Sequence, residues 1–113
     1  MQGKIVLVPF PFDDLSSSKV RPAVCLTEPI GTYDHVVLAF ITSQIPSDIV
    51  DSDLVLDSTH RDFHATGLKV SSTLRLHRLM TVATSVIRRE LGELSPRLQV
   101  TAAMKLRSLF KLG

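Results

Sequence analysis

The 113-residue chain is 44% hydrophobic and 21% charged, with a formal net charge of +2. This composition excludes disorder and predicts one domain, residues 1–113, with enough material for one buried core. No apolar run approaches the ~18 residues that span a bilayer, so no membrane role is expected.

A single cysteine, Cys25, forms no internal disulfide and suits a reducing compartment. The opening residues run straight into a strand-like segment without a cleavage signal, so the expected location is cytoplasmic. A net charge of +2 is too small to argue for nucleic acid by itself. Its distribution says more. Arg75, Arg78, Arg88, Arg89, Arg97, Lys105, Arg107 and Lys111 crowd the last third, where the only acids are Glu90 and Glu93. Asp48, Asp51, Asp53, Asp57 and Asp62 gather in the middle. This polarity fits an anionic partner and, equally, a solvated surface.

Residues 4–8 form a β-branched run that stops at Pro9-Phe10-Pro11-Phe12, since two prolines forbid a regular central strand. Residues 13–19 are polar and turn-forming, as a loop should be. Residues 20–27 read as a second strand with Pro22 near its start, and residues 28–34 as a turn containing Pro29 and Gly31. The run HVVLAFIT, residues 35–42, is the strongest candidate for a core strand, being continuously apolar and β-branched. Residues 53–57 alternate polar and apolar like a half-buried strand. Residues 58–66 hold two histidines among polar residues and predict a mobile loop. A strand pair is expected within residues 67–82, and a short strand within 87–94. Ser95-Pro96 then opens a helix with an N-cap serine and proline at the first position. Leu98, Ala102, Leu106, Leu109 and Phe110 share one face of it. The fold class is mainly β with helical additions: a small, strongly curved antiparallel sheet or SH3-like barrel plus a C-terminal helix.

Three places could carry chemistry. Arg21-Pro22 follows the polar loop, and the missing N–H of proline sets Arg21 at a strand entrance, where its fork of donors could meet a phosphate or pair with an aspartate. Thr42-Ser43-Gln44 ends the apolar strand abruptly in three hydrogen-bonding side chains, serving either a ligand or turn chemistry. In Arg75-Leu76-His77 strand alternation turns Leu74 and Leu76 to the core and Thr73, Arg75 and His77 to the other side, with a bulge or end at Arg78-Leu79. An adjacent guanidinium would favour the neutral, basic form of His77. His60 and His64 have helix-type ligand spacing but no clustered third ligand, so neither metal nor cofactor is expected. Cys25 reads as a core residue.

Taken in order, Gly3-x-Ile5-Val6-x-Val8-x-Phe10-Pro11-Phe12-x-Asp14-Leu15, Lys19-Val20-Arg21-Pro22-Ala23 and Ile41-Thr42-Ser43 resemble the MazF/PemK family of toxin–antitoxin ribonucleases. The match runs on through Gly67-Leu68, Ser72, Leu79-x-Thr81-Val82, Ile87-x-Arg89 and Leu91-Gly92-x-Leu94-Ser95. The resemblance implies a homodimer that cuts single-stranded RNA, is held by a cognate antitoxin protein and reaches operator DNA through the antitoxin complex. The family's catalytic arginine and threonine would fall on Arg21 and Thr42. Its Arg-x-Asp pair would fall on Arg75 and His77, the carboxylate replaced by imidazole. Phe12, Lys19, Ser43 and Gln44 are the expected RNA-binding residues. Lys4 stands where the family usually has an acid, and Ala83-Thr84 where it commonly has Asp-Lys.

The expected reaction is metal-independent attack of the ribose 2′-hydroxyl on the adjacent phosphorus, giving a 2′,3′-cyclic phosphate and a 5′-hydroxyl. Arg21 and Arg75 would stabilise charge, Thr42 would donate to the phosphate and His77 would act as base. Two alternatives share the fold: a toxin that poisons DNA gyrase by protein binding, and a catalytically silent nucleic-acid-binding barrel.

Overall fold

The computed structural model describes residues 1–10 and 19–113. Among the described residues six strands form one antiparallel sheet: β1 Lys4–Pro9, β2 Val20–Cys25, β3 His35–Thr42, β4 Asp53–Leu56, β5 Ser72–Ala83 and β6 Arg89–Glu93. Their order across the sheet is β4-β5-β3-β2-β1-β6, and a single helix, α1 Pro96–Phe110, follows. The sheet curls into a half-barrel. Among the described residues no helix is long and apolar enough to cross a membrane.

Strand β3 spans the residues its apolar run predicts, and the reason is burial on both faces. Ala39 and Ile41 join Ile5, Val24, Leu74, Leu76, Leu94 and Ala102 in one cluster beside α1. Val36, Leu38 and Phe40 join Val6, Val8, Phe10, Ala23 and Cys25 in a second, on the opposite face. Cys25 is fully buried, as its apolar setting foretold, and burial is the main cause pushing its thiol up to about 11.

Strand β2 ends at Cys25, two residues short of the expected Thr27. It pairs with β1 from Val20 to Val24 but joins β3 only at Ala23↔Phe40, Val24↔Ala39 and Cys25↔Leu38. Pro22 lies just beyond this ladder, where its missing N–H goes unneeded.

The expected strand pair within residues 67–82 is one strand, the 12-residue β5. It runs Ala39↔Leu79 and then Ile41↔Leu74 against β3, so residues 75–78 all stand opposite Phe40. This bulge bends β5 sharply. Its first half pairs with β4 and its second half with the start of β3, so one strand does the work foreseen for two.

The expected mobile loop, residues 58–66, is a chain of hydrogen-bonded turns closing in a 3-10 turn at His64–Thr66. Thr66 is fully buried; its hydroxyl donates to the Phe63 carbonyl and accepts from the Leu68 N–H. Two glycines seat this turn on β6. A Cβ at Gly67 would strike the Leu91 carbonyl, and one at Gly92 would strike the Ala65 carbonyl.

Helix α1 begins as expected: the Ser95 hydroxyl accepts from the Leu98 N–H at 3.2 Å and Pro96 takes the first position. Leu98, Ala102 and Leu106 pack on the core, but Leu109 and Phe110 do not. They are 37% and 53% exposed, because the last turn runs past the sheet. Lys4, found where an acid was expected, bridges Glu90 at 3.5 Å and Glu93 at 3.7 Å across the β1–β6 ladder, so the departure is offset by charges on the neighbouring strand.

Candidate nucleic-acid site

Where β2 and β3 part, a cleft of about 220 Å³ opens, lined by Phe10, Arg21, Phe40, Ile41, Thr42, Ser43, Gln44, Arg75 and Arg78. Strand register explains why distant residues meet there. Carried two residues past Ala23↔Phe40, the β2–β3 pairing sets Arg21 across from Thr42. Pro22 and the end of the ladder let the strands splay, and the two side chains face the gap.

The floor of the cleft is aromatic. Phe10, only 7% exposed, meets Phe40 edge to face, with ring centroids 4.8 Å apart. Two guanidinium groups lie over the Phe10 ring, Arg21 at 5.9 Å and Arg78 at 5.3 Å from its centroid. Thr42 is half-buried, and its oxygen accepts from the Gln44 N–H at 3.2 Å. Accepting leaves its own hydroxyl hydrogen available to donate.

Arg75 is held from the next strand. Its Nε and one Nη donate to the two oxygens of Asp53 at 2.8 and 3.2 Å, between directly opposed residues of β5 and β4. Asp53 also accepts from the Val50 N–H, and its side chain is fully buried. Burial by itself would raise this carboxyl, but the Arg75 and Val50 hydrogen bonds, with the charges of Arg75 and His77, hold it below the usual carboxylate range. Its place in a stretch that alternates polar and apolar residues gives no sign of this pairing, so Asp53 is a partner the sequence pattern concealed.

Of the expected site residues, Arg21, Thr42, Ser43, Gln44 and Arg75 line the one cleft. His77 does not. The bulge breaks the shared face foreseen for Thr73, Arg75 and His77: Thr73 is buried between β3 and β4, and His77 turns its Nδ1 to the Ser52 hydroxyl at 2.7 Å. Lys19 is exposed outside the cleft, its carbonyl accepting from the Phe10 N–H. Phe12 lies outside the described residues. Sequence reasoning missed Arg78 as a site residue, although the broken alternation at Arg78-Leu79 was its signal.

The described lining thus offers three guanidinium groups, hydroxyls and an amide, with the Arg75 guanidinium paired to a buried carboxylate. Such a set binds phosphate. Among the described residues no three histidine, cysteine, aspartate or glutamate side chains gather as metal ligands.

A curled half-barrel with an arginine-lined cleft at a strand end is the architecture to be compared with known proteins. Residues 1–110 match the family model described as PemK-like, MazF-like toxin of type II toxin–antitoxin systems, and the chain belongs to that family. Its fold is similar to an endoribonuclease in complex with its cognate antitoxin from a mycobacterial species: TM-score 0.73, 11% identity, covering 100% of this chain and 96% of the other. It is also similar to the Mycobacterium tuberculosis toxin MazF-mt6, with a TM-score of 0.72 and 20% identity over 96% of both chains. A MazE–MazF structure from Deinococcus radiodurans aligns with a TM-score of 0.68 and 18% identity, covering 96% of this chain and 92% of the other. No curated protein sequence matches the chain significantly.

Proposed function

We propose that the chain is an endoribonuclease that cuts single-stranded RNA without a metal, acting as the toxin of a toxin–antitoxin pair. The observation that carries this reading is the meeting of Arg21, Thr42 and Arg75 around one open cleft. Its volume of about 220 Å³ falls below the ~300 Å³ at which drug-sized pockets begin. That size suits one phosphate and sugar of a polymer that continues beyond both ends.

In the proposed reaction the 2′-hydroxyl oxygen attacks phosphorus, the bond to the 5′ oxygen breaks, and a 2′,3′-cyclic phosphate and a 5′-hydroxyl result. The 2′ proton leaves, and the departing 5′ oxygen takes one up. Arg21 and Arg75 stabilise the negative charge that gathers on the phosphorus oxygens, and Thr42 donates a hydrogen bond to one of them. Arginine, with a pKa above ~12, serves as a stabiliser rather than an acid. No imidazole or carboxylate is among the described lining residues, so His77 takes the 2′ proton only if its ring leaves Ser52 and turns into the cleft.

Purified protein, a long defined RNA and mapping of the cut ends test the reading. Arg21→Ala should keep the fold and lose at least about 100-fold in cleavage, the scale of removing one preorganised donor. Full cleavage by that variant rejects the site, and uncut RNA with the native chain rejects the nuclease reading in favour of gyrase binding or a silent barrel. In the same assay His77→Gln should stay within a few-fold of native; a loss of ~10²–10⁴-fold would restore the histidine as base. Pairing of two copies, an antitoxin partner and operator DNA reached through the antitoxin complex belong to the same proposal.

A further inference from the structure

We propose that Arg78 grips a backbone phosphate of the RNA, a contact that rests on the RNA reading of the cleft and deepens it. The first argument is parity. Residues 75 and 78 are three apart, so a regular strand would point them to opposite faces. Both line one cleft, because the four residues of the β5 bulge stand opposite Phe40 alone. Bulges re-aim side chains in this way, and here the bulge delivers a third guanidinium to the opening.

The second argument is support. Arg78 lies 5.3 Å from the centroid of the Phe10 ring, and that ring is fixed edge-on against Phe40. A guanidinium held over a ring is restrained while its in-plane N–H groups remain free to meet phosphate oxygens. The third is charge. Asp53 neutralises Arg75, whereas among the described residues no carboxylate forms an ion pair with Arg78. Among the described residues its positive charge is thus left uncancelled at the place where an anionic chain would enter.

Binding of a 2′-O-methyl single-stranded oligonucleotide, which cannot undergo the proposed cleavage, tests this directly across a salt series. Each phosphate contact on a single strand contributes about 0.7 to the slope of log affinity against log salt. Arg78→Ala should lower that slope by about 0.7 and weaken binding roughly tenfold, the effect of one charge-assisted hydrogen bond. Arg78→Lys should keep the slope and recover part of the affinity, since a point charge replaces a fork. Arg78→Gln serves as a second neutral variant should the alanine chain melt early, and should match it. Unchanged slope and affinity in the neutral variants would overturn the inference. Native protein that binds the oligonucleotide but leaves ordinary RNA uncut would sink the nuclease reading and leave the phosphate contact standing. Native protein that does not bind would overturn both.

Discussion

Asp53 ties the architecture of the site to pH. Its folded-state pKa lies below the ordinary carboxylate value, so the stabilisation it provides is fully present above the unfolded value of about 3.9. It is lost as pH falls through the lower folded value. Asp53→Asn should therefore flatten the acid side of the stability curve below about pH 4, as followed by denaturant unfolding. At neutral pH the same change leaves Arg75 without its counter-charge. Breaking a fully buried pair costs ~3–5 kcal/mol; with a quarter of the Arg75 side chain exposed, a loss of about 2–3 kcal/mol is expected. Identical acid sensitivity in the two proteins would show that the carboxylate is not held as described. The contrast with His77 is instructive at this scale. Both residues flank Arg75, yet Asp53, not singled out by its sequence, is its partner, and His77, the expected base, is hydrogen-bonded to Ser52.

At the scale of elements, the 3-10 turn and β6 approach so closely that neither Gly67 nor Gly92 has room for a Cβ. Gly92→Ala must push apart two backbone segments and should cost ~1–3 kcal/mol, the usual range for overpacking, read as a lower unfolding midpoint. A neutral result would mean the turn does not seat on the strand. Much of the element map was legible beforehand: β3 from its unbroken apolar run, α1 from Ser95-Pro96, and β1 and β2 from apolar runs on either side of a polar stretch. The strand-end positions of Arg21 and Thr42 were legible too, because a proline and an abrupt polar strand end mark where a ladder stops. Periodicity marked a bulge or end at Arg78-Leu79, but not that it spans residues 75–78. A four-residue excursion depends on curling a sheet over two cores, which is a property of the assembled strands rather than of local spacing. The identity of the cleft's third arginine and the direction of His77 both follow from that excursion, and both were missed for one reason.

For the whole molecule, the expectation is a pair of chains. Sedimentation should give twice the 12.5 kDa chain mass, and a species of single-chain mass at micromolar concentration would count against pairing. On the side of α1 turned from the core, Val100 and Met104 are each more than half exposed, and Phe110 and Leu112 are more than half exposed at the end of the chain. Another consequence concerns the one thiol. Cys25 is wholly enclosed and ionises only near pH 11, so at neutral pH it offers almost no thiolate to an alkylating reagent. A fluorophore attached through a new cysteine at Ser43 or Gln44, at the exposed rim, would thus label one position in an otherwise native chain. Occupancy of the opening could then be followed in real time without first replacing the natural sulfhydryl.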